Sequence, residues 1–489
     1  MSSAAEITDM ITSERMAAVD VNAEALGVPR KQLMESSGNA VAQAIRDIAE
    51  PGARIAVVAG RGNNGGDAFV AARFLDAYDL SVHLLGRAET ITTDIARENW
   101  GALERGEYDI EEVRDSTQLS LPDADVVIDA MLGTGVTGAL REPAASAAEA
   151  INASDATVVS VDVPSGIDAD TGEAAGVAVE ADHVVTFHDD KPGLEGVDAD
   201  VTVADIGIPD AAELFVERGD LLALSRDPQS HKGDHGTVLV IGGGPYSGAP
   251  ALSAQAAFRA GADLVYVATP ESVADAVAGY SENLIVEALP GDRLAPVHVD
   301  TLLALAEDAD AVLVGPGLGD AEGSLDAVAG FLESYAGQAV VDADPLRIVP
   351  EVETDADLVC TPHQGELTAM GGPREDDWRD RADAVESFAT EVGATLLVKG
   401  AYDVVSDGER TRVNRTGNPG MTVGGTGDVL AGITAALVTA LDDPVQAAGI
   451  AAYANGRAGD FAVEEHGYGL VATDLPPRVA EALWGDRDE

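Results

Sequence analysis

Short apolar segments that end in glycine or in polar residues recur along this chain, with helix-like stretches between most of them. The first, RIAVVAG (54–60), precedes a helical pattern from Asp67 to about Tyr78, and SVHLLG, DVVIDAML, ATVVSVDV and DHVVTF follow it. A second series begins at GTVLVIGGG (236–244) and continues with ADLVYVAT, AVLVGPG, QAVVDAD, ADLVCTP and ATLLVKG; its clearest helix is APALSAQAAFRAGA (249–262). This alternation predicts an α/β fold with mainly parallel sheets covered by helices. Ligands of such sheets bind beyond the carboxyl ends of the strands, so the loops there are the candidate sites.

The strand rhythm breaks at residues 211–230, a stretch that contains ERGD and SRDPQS. A chain of 489 residues is long enough for more than one domain, at roughly 150 residues each. We therefore expect one domain over residues 1–212, a linker region over 213–228, and a second domain over 229–489. Residues 1–50 have a mostly helical pattern and are expected to pack against the first sheet.

The chain is strongly acidic, with 86 Asp and Glu against 29 Lys and Arg and a net charge of −57. The acids are interspersed with apolar residues, which predicts an acidic, solvated surface on folded domains and no binding to nucleic acid or anionic membranes. Such a surface resembles that of proteins from salt-loving cytoplasms, where cations screen the repulsion. Apolar runs fall short of the ~18 residues of a membrane span, and the N-terminus does not resemble a signal peptide. With a single cysteine, Cys360, we expect a cytoplasmic protein.

Glycine-rich and polar loops follow the strands of the first half. Residues 63–67, NNGGD, combine amide side chains with glycines before a helix, an arrangement that favours ligand binding over a plain Asn-Gly turn. Residues 133–138, GTGVTG, fit G-x-G-x-x-G but follow a later strand, so as a dinucleotide fingerprint they are weak. Their backbone donors would still suit a pyrophosphate.

Polar side chains from three strand ends of the first half offer hard oxygen ligands. Asp162 and Ser165 lie in VDVPSGIDADTG (161–172), and Asn64 and Asp129 follow earlier strands. Carboxylate, amide and hydroxyl oxygens suit a group 1 or group 2 cation. The alternative is an acidic surface loop with capping residues.

In their order, NNGGD, DAMLGTG and DVPSGIDADTG resemble the NAD(P)H-hydrate epimerase domain, over about residues 1–210. The resemblance implies a Rossmann-like fold that interconverts the R and S forms of hydrated NADH and NADPH. It also implies that Asn64, Asp129 and Ser165 bind potassium and that Asp162 is the acid/base. The implied substrate-binding residues are Asn63, Asn64, Gly65, Gly66, Asp67, Gly133, Thr134, Gly135, Val136, Thr137, Gly138, Ala139 and Asp162. The chain departs from the family at Ala68, where glycine is usual, and at Met131-Leu132, where Leu-Phe is common.

The loops of the second half are also rich in glycine, and one acid, two lysines and a histidine stand out among them. P-loop and protein-kinase motifs are absent from the sequence. In GGTGDVLAG (424–432) the glycines and the start of a helix predict a phosphate site, with Asp428 as general base or acid; the alternative is that Asp428 caps the helix. The chain has only four lysines, and Lys232 and Lys399, in SHKGDHG and LLVKGAYD, are favoured as functional. His363, in TPHQGE (361–366), is as plausible a loop residue as a catalyst.

SHKGDHG, GGGPYSGAP, GPGLG, DADPL, TPHQGE, KGAYD and GGTGD resemble, in this order, the ribokinase-like ADP/ATP-dependent NAD(P)H-hydrate dehydratase, over about residues 220–485. The residues alone do not choose between ADP and ATP; the prokaryotic members of the family imply ADP. The implied nucleotide-binding residues are Lys399, Gly400, Ala401, Tyr402, Asp403 and Gly427. The implied substrate-binding residues are Ala249, Gly317, Gly319, His363 and Asp428, with Asp428 as catalytic base. DADPLR, Gln364 and Thr422-Val423 depart from the family pattern.

Together the two resemblances imply a bifunctional enzyme. The first domain epimerises hydrated NAD(P)H, and the second dehydrates the S form by phosphorylation from ADP followed by loss of phosphate, with Mg²⁺ neutralising the phosphates. We expect small-molecule substrates and a homo-oligomer, and neither a nucleic acid nor a membrane as partner. One alternative is a ribokinase-like kinase of a small molecule such as a vitamin alcohol. Another is a first half that binds nucleotides without catalysis.

Overall fold

The computed structural model of the chain describes residues 10–135 and 137–485 and divides into two compact units, residues 1–212 and 213–489. A short helix, Ala211–Leu214, lies at the division. Among the described residues, no helix has both the length and the apolar character that a membrane span requires.

The first unit alternates strands with helices, after two helices at its start. Its helices are α1 (Ser13–Ala25), α2 (Arg30–Ile48), α3 (Asn63–Phe74), α4 (Asp94–Arg105) and α5 (Ala144–Asn152). Its strands are β1 (Arg54–Ala59), β2 (Asp79–Leu85), β3 (Asp109–Val113), β4 (Val126–Ala130), β5 (Thr157–Val161), β6 (His183–Phe187) and β7 (Asp200–Ala204). The helical start and the four further strands that the sequence predicted after RIAVVAG are confirmed.

In the described part of the first unit, seven parallel strands form one sheet in the order β3-β2-β1-β4-β5-β6-β7. Successive side chains of a strand point to opposite faces. Val57 of β1 accordingly packs in one apolar cluster, with α2 and α3, and Val58 packs in the other, with α5. The sheet is therefore buried on both faces, and the carboxyl ends of its central strands share one edge.

The helix after β1 begins at Asn63, four residues before the predicted start at Asp67. NNGGD is thus the first turn of a helix and not a loop. Two glycines let this helical turn pack closely against its neighbours. A Cβ on Gly65 would overlap the backbone of Gly60, and a Cβ on Gly66 would touch Met34. The amides of the first helical turn are therefore directed at the carboxyl edge of the sheet.

The second unit is a larger α/β structure. Its strands are β8 (Thr237–Ile241), β9 (Leu264–Pro270), β10 (Ile285–Leu289), β11 (Ala311–Val314), β12 (Gln338–Val341), β13 (Asp357–Cys360), β14 (Thr395–Val398), β15 (Asp403–Ser406) and β16 (Thr411–Asn414). With the helix at the division counted as α6, its helices are α7 (Gly248–Arg259), α8 (Glu271–Ala278), α9 (Val299–Ala306), α10 (Glu322–Leu332), α11 (Gln364–Ala369), α12 (Trp378–Val392), α13 (Thr426–Leu437), α14 (Pro444–His466) and α15 (Pro476–Trp484).

Nine strands of the described residues form its sheet, in the order β10-β9-β8-β11-β12-β13-β14-β15-β16. The strands from β10 to β14 in this order pair in parallel. Strand β15 then pairs antiparallel with both β14 and β16. Helices α7, α13 and α14 cover one face, and α10, α11 and α12 cover the other. The α/β class with mainly parallel sheets is thus confirmed in both units.

Residues 213–224, which fall in the predicted linker region, bond to the outermost strand of the second unit. The backbone N–H of Val216 donates to the carbonyl of Val413 at 2.9 Å. The Arg412 guanidinium lies 2.8 Å from the buried carboxylate of Asp220. This stretch therefore belongs structurally to the second unit.

Candidate active sites

A buried acid forms the centre of a polar cluster at the carboxyl ends of β4 and β5 in the first unit. Asp129 Oδ1 accepts a hydrogen bond from Ser165 Oγ at 2.7 Å, and Oδ2 accepts from the Ser165 N–H and from Ser160 Oγ, both at 2.9 Å. Burial raises the pKa of Asp129, and these hydrogen bonds oppose the rise because they favour the charged form. The carboxylate is thus held rigidly by neutral donors.

Asn64 brings an unpaired oxygen close to this cluster. Its Nδ2 donates to the carbonyl of Leu132 at 2.9 Å, which also accepts from Ser165 Oγ at 3.2 Å. Asn64 Oδ1 is buried without a hydrogen-bond partner. An orphaned buried acceptor calls for a donor or a cation. Among the described residues no group of three His, Cys, Asp or Glu is placed to hold a metal. One carboxylate among neutral oxygens fits a monovalent cation such as K⁺ better than a divalent one.

Asp162 links two of the loops that the sequence selected. It follows β5 with a left-handed backbone, φ 67°, which is rare for residues other than glycine. Its Oδ2 accepts from the Thr134 N–H at 3.3 Å, and its Oδ1 accepts from Thr186 Oγ1 at 3.4 Å. A Cβ on Gly133 would lie 3.1 Å from Oδ2. The glycines of GTGVTG therefore let this loop approach the carboxylate.

A cavity of about 450 Å³ opens beside Asp162 and is lined by side chains of α1, α2, α3 and α4 together with Thr134, Asp162, Phe187 and Ile206. Five acids line it: Asp20 and Glu24 from α1, Asp67 from α3, Asp94 from α4, and Asp162 itself. Burial raises the pKa of Asp67 well above its usual value, and the charges of Asp162 and Asp20 raise it further. Burial likewise raises the pKa of Asp20 to about 6, which Arg30 opposes. A cavity with several carboxyls of shifted pKa is a good candidate for proton transfer.

The sequence-selected residues of the first unit do not all reach this cavity. Asn63, Asp67, Thr134 and Asp162 line it. Gly135 and Thr137 to Ala139 are exposed on the loop and do not line it. Val136 lies outside the described residues. Asp20 was missed, because α1 carries no motif and a single acid on a helix looks like ordinary surface.

In the second unit, Asp428 lies in the first turn of α13. The helix begins at Thr426 after Gly425, whose φ of 102° favours glycine. Gly425 is therefore the N-cap, and Asp428 is the third helical residue. The alternative interpretation of Asp428 as the capping residue is wrong for this reason. Its carboxylate is available for chemistry at the positive end of a helix.

The carboxyl group of Asp428 is tuned by its surroundings. Burial raises its pKa to about 7, with a further rise from Asp342, a lowering by Lys399 and a smaller rise from Glu366. Both protonation states are accessible at neutral pH. This is the range in which a general base both accepts and releases protons effectively.

Lys399 lies beneath this turn in contact with two acids. Its Nζ is 3.0 Å from Asp342 Oδ1 and 3.7 Å from Glu366 Oε2, and a Cβ on Gly427 would lie 3.2 Å from it. Burial alone would lower the pKa of Lys399, but the charges of Asp342 and Glu366 raise it. The lysine therefore stays charged. Asp342 and Glu366 lie in motifs that the sequence singled out, DADPL and TPHQGE, but neither was selected as a site residue.

The KGAYD loop joins β14 to β15 and is closed by its own acid. Asp403 accepts from the Gly400 N–H at 2.8 Å and from Asn414 Nδ2 at 2.9 Å. Its pKa is raised to about 6, chiefly by burial, which these hydrogen bonds oppose. The ring of Tyr402 stacks on Trp378, with centroids 5.1 Å apart, and Ala401 is exposed.

His363 caps a helix. Its Nδ1 accepts from the backbone N–H groups of Gly365 and Glu366 at 2.9 and 3.1 Å. The Glu366 carboxylate in turn accepts from the His363 N–H at 2.8 Å, which completes a capping box. The rest of the imidazole is exposed, so His363 is oriented by the backbone and can still contact a ligand.

The other selected residues lie at two turns. Gly317 adjoins the start of α7, since a Cβ on it would lie 3.3 Å from the Cβ of Ala249. Gly319 adjoins Pro245 in the turn after β8.

Two α/β units that each gather acids of shifted pKa and glycine-rich turns at the carboxyl ends of a parallel sheet define a two-site α/β enzyme. The chain is 46% identical to the bifunctional NAD(P)H-hydrate repair enzyme of Methanothermobacter thermautotrophicus, over 96% of this chain and 94% of the relative. It is 44% identical to the enzyme of the same description from Pyrobaculum aerophilum, over 97% and 98%. The chain belongs to the family of bifunctional NAD(P)H-hydrate repair enzymes.

Family models divide the chain in the same way. Residues 238–480 match the NAD(P)H-hydrate dehydratase family, and residues 30–193 match the family described as YjeF-related protein N-terminus. Among solved structures, the ADP/ATP-dependent NAD(P)H-hydrate dehydratase of Bacillus subtilis is 25% identical and covers 55% of this chain and 98% of its own, with a TM-score of 0.48. The curated relatives and the two family models together show that the chain is an enzyme with an epimerase unit and a dehydratase unit.

Proposed function

We propose that the first unit interconverts the R and S forms of hydrated NADH and NADPH, and that the second unit dehydrates the S form at the expense of ADP, giving AMP and phosphate. The β-phosphoryl group of ADP passes to the hydroxyl group of the hydrate as its bond to AMP breaks. Loss of phosphate and of a proton from the neighbouring ring carbon then restores the dihydronicotinamide. The observation that carries this proposal is the Asp428 carboxyl, with a pKa of about 7 in the first turn of α13.

Asp428 is proposed to accept the hydroxyl proton as the phosphoryl group transfers. Support comes from its burial and from its position among the glycines of GGTGD, whose backbone donors suit a phosphate. We assign the nucleotide to Lys399, Gly400, Ala401, Tyr402, Asp403 and Gly427. We assign the hydrated nicotinamide to Ala249, Gly317, Gly319, His363 and Asp428.

In the first unit, Asp162 is proposed as the acid/base of epimerisation. Support comes from its place in the wall of the cavity, opposite the backbone of Thr134. We assign the hydrated dinucleotide to NNGGD and to residues 133–139, although among the described residues of the latter, 133–135 and 137–139, only Thr134 lines the cavity.

A potassium ion is proposed to bind Asn64, Asp129 and Ser165. Support comes from the orphaned Asn64 Oδ1 and from the single buried carboxylate beside it. A bound K⁺ would supply positive charge where the three loops meet. Asn64, Asp129 and Ser165 would then fix the Asp162 loop relative to the GTGVTG loop.

Magnesium is proposed to arrive with the phosphates of ADP and not on a protein cage. The described residues offer no group of three metal-binding side chains, and Lys399 already occupies the space between Asp342 and Glu366. Mg²⁺ commonly binds through substrate phosphates with few protein ligands. When bound, it neutralises phosphate charge.

We further propose a homo-oligomeric enzyme of the cytoplasm that is adapted to high salt. The net charge of −57 and the small number of lysines support the last point. The limits proposed for the parts of the chain are 1–212 for the epimerase domain, 213–228 for the connecting region and 229–489 for the dehydratase domain.

The test supplies a mixture of R and S hydrated NADH with ADP and Mg²⁺ to the whole chain and follows the near-ultraviolet absorbance of NADH. The intact enzyme is expected to recover all of the NADH. The Asp162→Asn variant should recover only the S fraction, at the wild-type rate, and the Asp428→Asn variant should recover almost none. Full recovery by Asp428→Asn would overturn the role of this residue. Accumulation of a stable phosphorylated product would instead favour the small-molecule kinase.

A further inference from the structure

We propose that Lys191 is a positioning residue of the epimerase site, whose buried ammonium holds the Asp162 carboxylate oriented toward the cavity. The inference rests on the proposed role of Asp162. Lys191 belongs to the segment HDDKPG after β6, and neither the predicted sites nor the motifs account for it.

Lys191 is buried to an unusual degree for a lysine, with 1% of its side chain exposed. Its Nζ donates to Thr186 Oγ1 at 3.2 Å, to the Phe187 carbonyl at 2.9 Å and to the Asp189 carbonyl at 2.8 Å. The three donors of the ammonium are thereby all used. Such a site is built for a charged amine at this one point.

The ammonium acts on Asp162 by two routes. Nζ lies 3.9 Å from Asp162 Oδ1, and Thr186 Oγ1 accepts from Nζ while donating to the same oxygen at 3.4 Å. Both routes converge on Oδ1, and Oδ2 is held by the Thr134 N–H at the edge of the cavity. Lys191 therefore fixes one oxygen of Asp162 and leaves the other for substrate.

Charged side chains surround Lys191 and the cavity. Burial lowers the pKa of Lys191 below its usual value, and the charges of Asp162, Asp189, Asp190 and Asp20 offset this only in part. The cavity is also lined by the acids Asp20, Glu24, Asp67 and Asp94 and by the cations Arg30 and Lys31. Arg30 and His188 both act on Asp20. The Lys191 ammonium is the cation that the structure places within 4 Å of Asp162 among the described residues.

A purely structural role, in which Lys191 only ties down residues 187–189, is the alternative. The two roles differ in what they do to the kinetic constants. Loss of the ammonium releases Asp162 Oδ1, so kcat should fall with little change in KM because the substrate still binds beside a misplaced acid/base. Loss of a structural tie alone lowers stability without lowering kcat of the folded enzyme.

The experiment uses the full-length chain without ADP, so that dehydration cannot proceed, and follows conversion of R to S hydrated NADH by chromatography. Lys191→Met is expected to lower kcat about tenfold or more, with little change in KM. Lys191→Arg, which restores a cation at this position, should recover much of the lost kcat. The matched control, Arg105→Met, removes an exposed cation of the same unit and should change neither quantity.

Each result supports or opposes the inference. A Lys191→Met enzyme with near-normal kcat overturns it, whatever its melting temperature. Should Lys191→Met not fold, Thr186→Val removes one of the two routes and must lower kcat with little change in KM. Asp162→Asn separates the two proposals: if it epimerises normally, the proposed function fails. If it is inactive while Lys191→Met is normal, only this inference fails. Adding Lys191→Met to Asp162→Asn should lower kcat no further.

Discussion

The ammonium of Lys399 lies 3.0 Å from the carboxylate of Asp342, beneath the glycine-rich turn that begins α13. Asp342 is buried, Lys399 is 17% exposed, and Glu366 lies 3.7 Å from the Lys399 ammonium. Asp342 and Glu366 both raise the pKa of Asp428, and Lys399 lowers it. The balance of these three charges, together with burial, therefore sets the protonation of the proposed catalytic base.

Dehydration by the second unit should depend on pH through Asp428. The base must be ionised to accept a proton, and its pKa is raised to about 7. We expect kcat to fall as the pH drops through about 7 and to level off above it. Asp428→Asn should lower kcat by roughly 10²–10⁴-fold above pH 7, and the difference should narrow as the pH falls and the wild-type base is protonated. The measurement is the pH profile of NADH recovery from S hydrated NADH; a wild-type profile that is flat across neutral pH would contradict the assignment.

The same carboxyl should make the second unit less stable as the pH rises. The folded-state pKa of Asp428 is raised from its usual value of 3.8 to about 7, so the stability contributed by this protonated carboxyl is fully present below pH 4 and is lost as the pH rises through 7. Above pH 7 the wild type must hold an ionised carboxyl in a partly buried position, and Asp428→Asn removes that cost. We expect the variant to have a free energy of unfolding roughly 1–3 kcal/mol higher than the wild type above pH 7. Denaturant titrations of both proteins across this range provide the check. An equal difference at every pH would point to another cause.

Lys399→Met should damage the dehydratase through the charges that it leaves behind. Asp342 and Glu366 would lose their cation inside the protein, and breaking a buried pair of this kind costs about 3–5 kcal/mol. We expect a lower melting temperature of the second unit and an acidic limb of dehydration that moves to higher pH. Arg259→Met, an exposed cation at the end of α7, is the control and should leave both unchanged. An unshifted limb in a folded Lys399→Met enzyme would show that the lysine does not tune Asp428.

The sequence identified the central strands because they are apolar throughout. It missed β3 and β7, DIEEV and DVTVA, because these strands lie at the sheet edges and expose half of their side chains. It also missed β10, β15 and β16, because a polar or charged residue interrupts or flanks the short apolar run in each of IVEAL, DVVS and TRVN.

In the sites, motifs identified the loops but not the directions of the side chains. Lys399 was assigned to the nucleotide because it begins KGAYD, yet its ammonium contacts Asp342, 57 positions away in the chain. Asp20 and Lys191 gave no local signal, since their significance depends on packing between α1, β6 and the Asp162 loop. Contacts between distant segments cannot be read from spacing along one sequence.

Epimerisation should require potassium if Asn64 Oδ1 accepts a cation. We expect the R-to-S rate, measured without ADP, to fall when KCl is replaced by tetramethylammonium chloride at equal ionic strength. The larger cation cannot fit a site closed by Asp129 and Ser165. Ser165→Ala should weaken the response to K⁺, whereas the dehydratase rate of the same variant should match the wild type. Equal epimerase rates in the two salts would refute the potassium site.

Both units should lose stability in dilute buffer because of the net charge of −57. Repulsion among exposed carboxylates is screened over about 10 Å at 0.1 M salt and over about 3 Å at 1 M. We therefore expect the melting temperature to rise with salt concentration, and to do so in tetramethylammonium chloride as well as in KCl, since screening does not depend on ion size. A response to KCl alone would assign the effect to the potassium site, and a melting temperature independent of both salts would contradict the role given to the acidic surface. The dehydratase activity of the second unit separates screening from potassium binding. This unit lacks the Asn64 cluster, so its activity should respond to screening only.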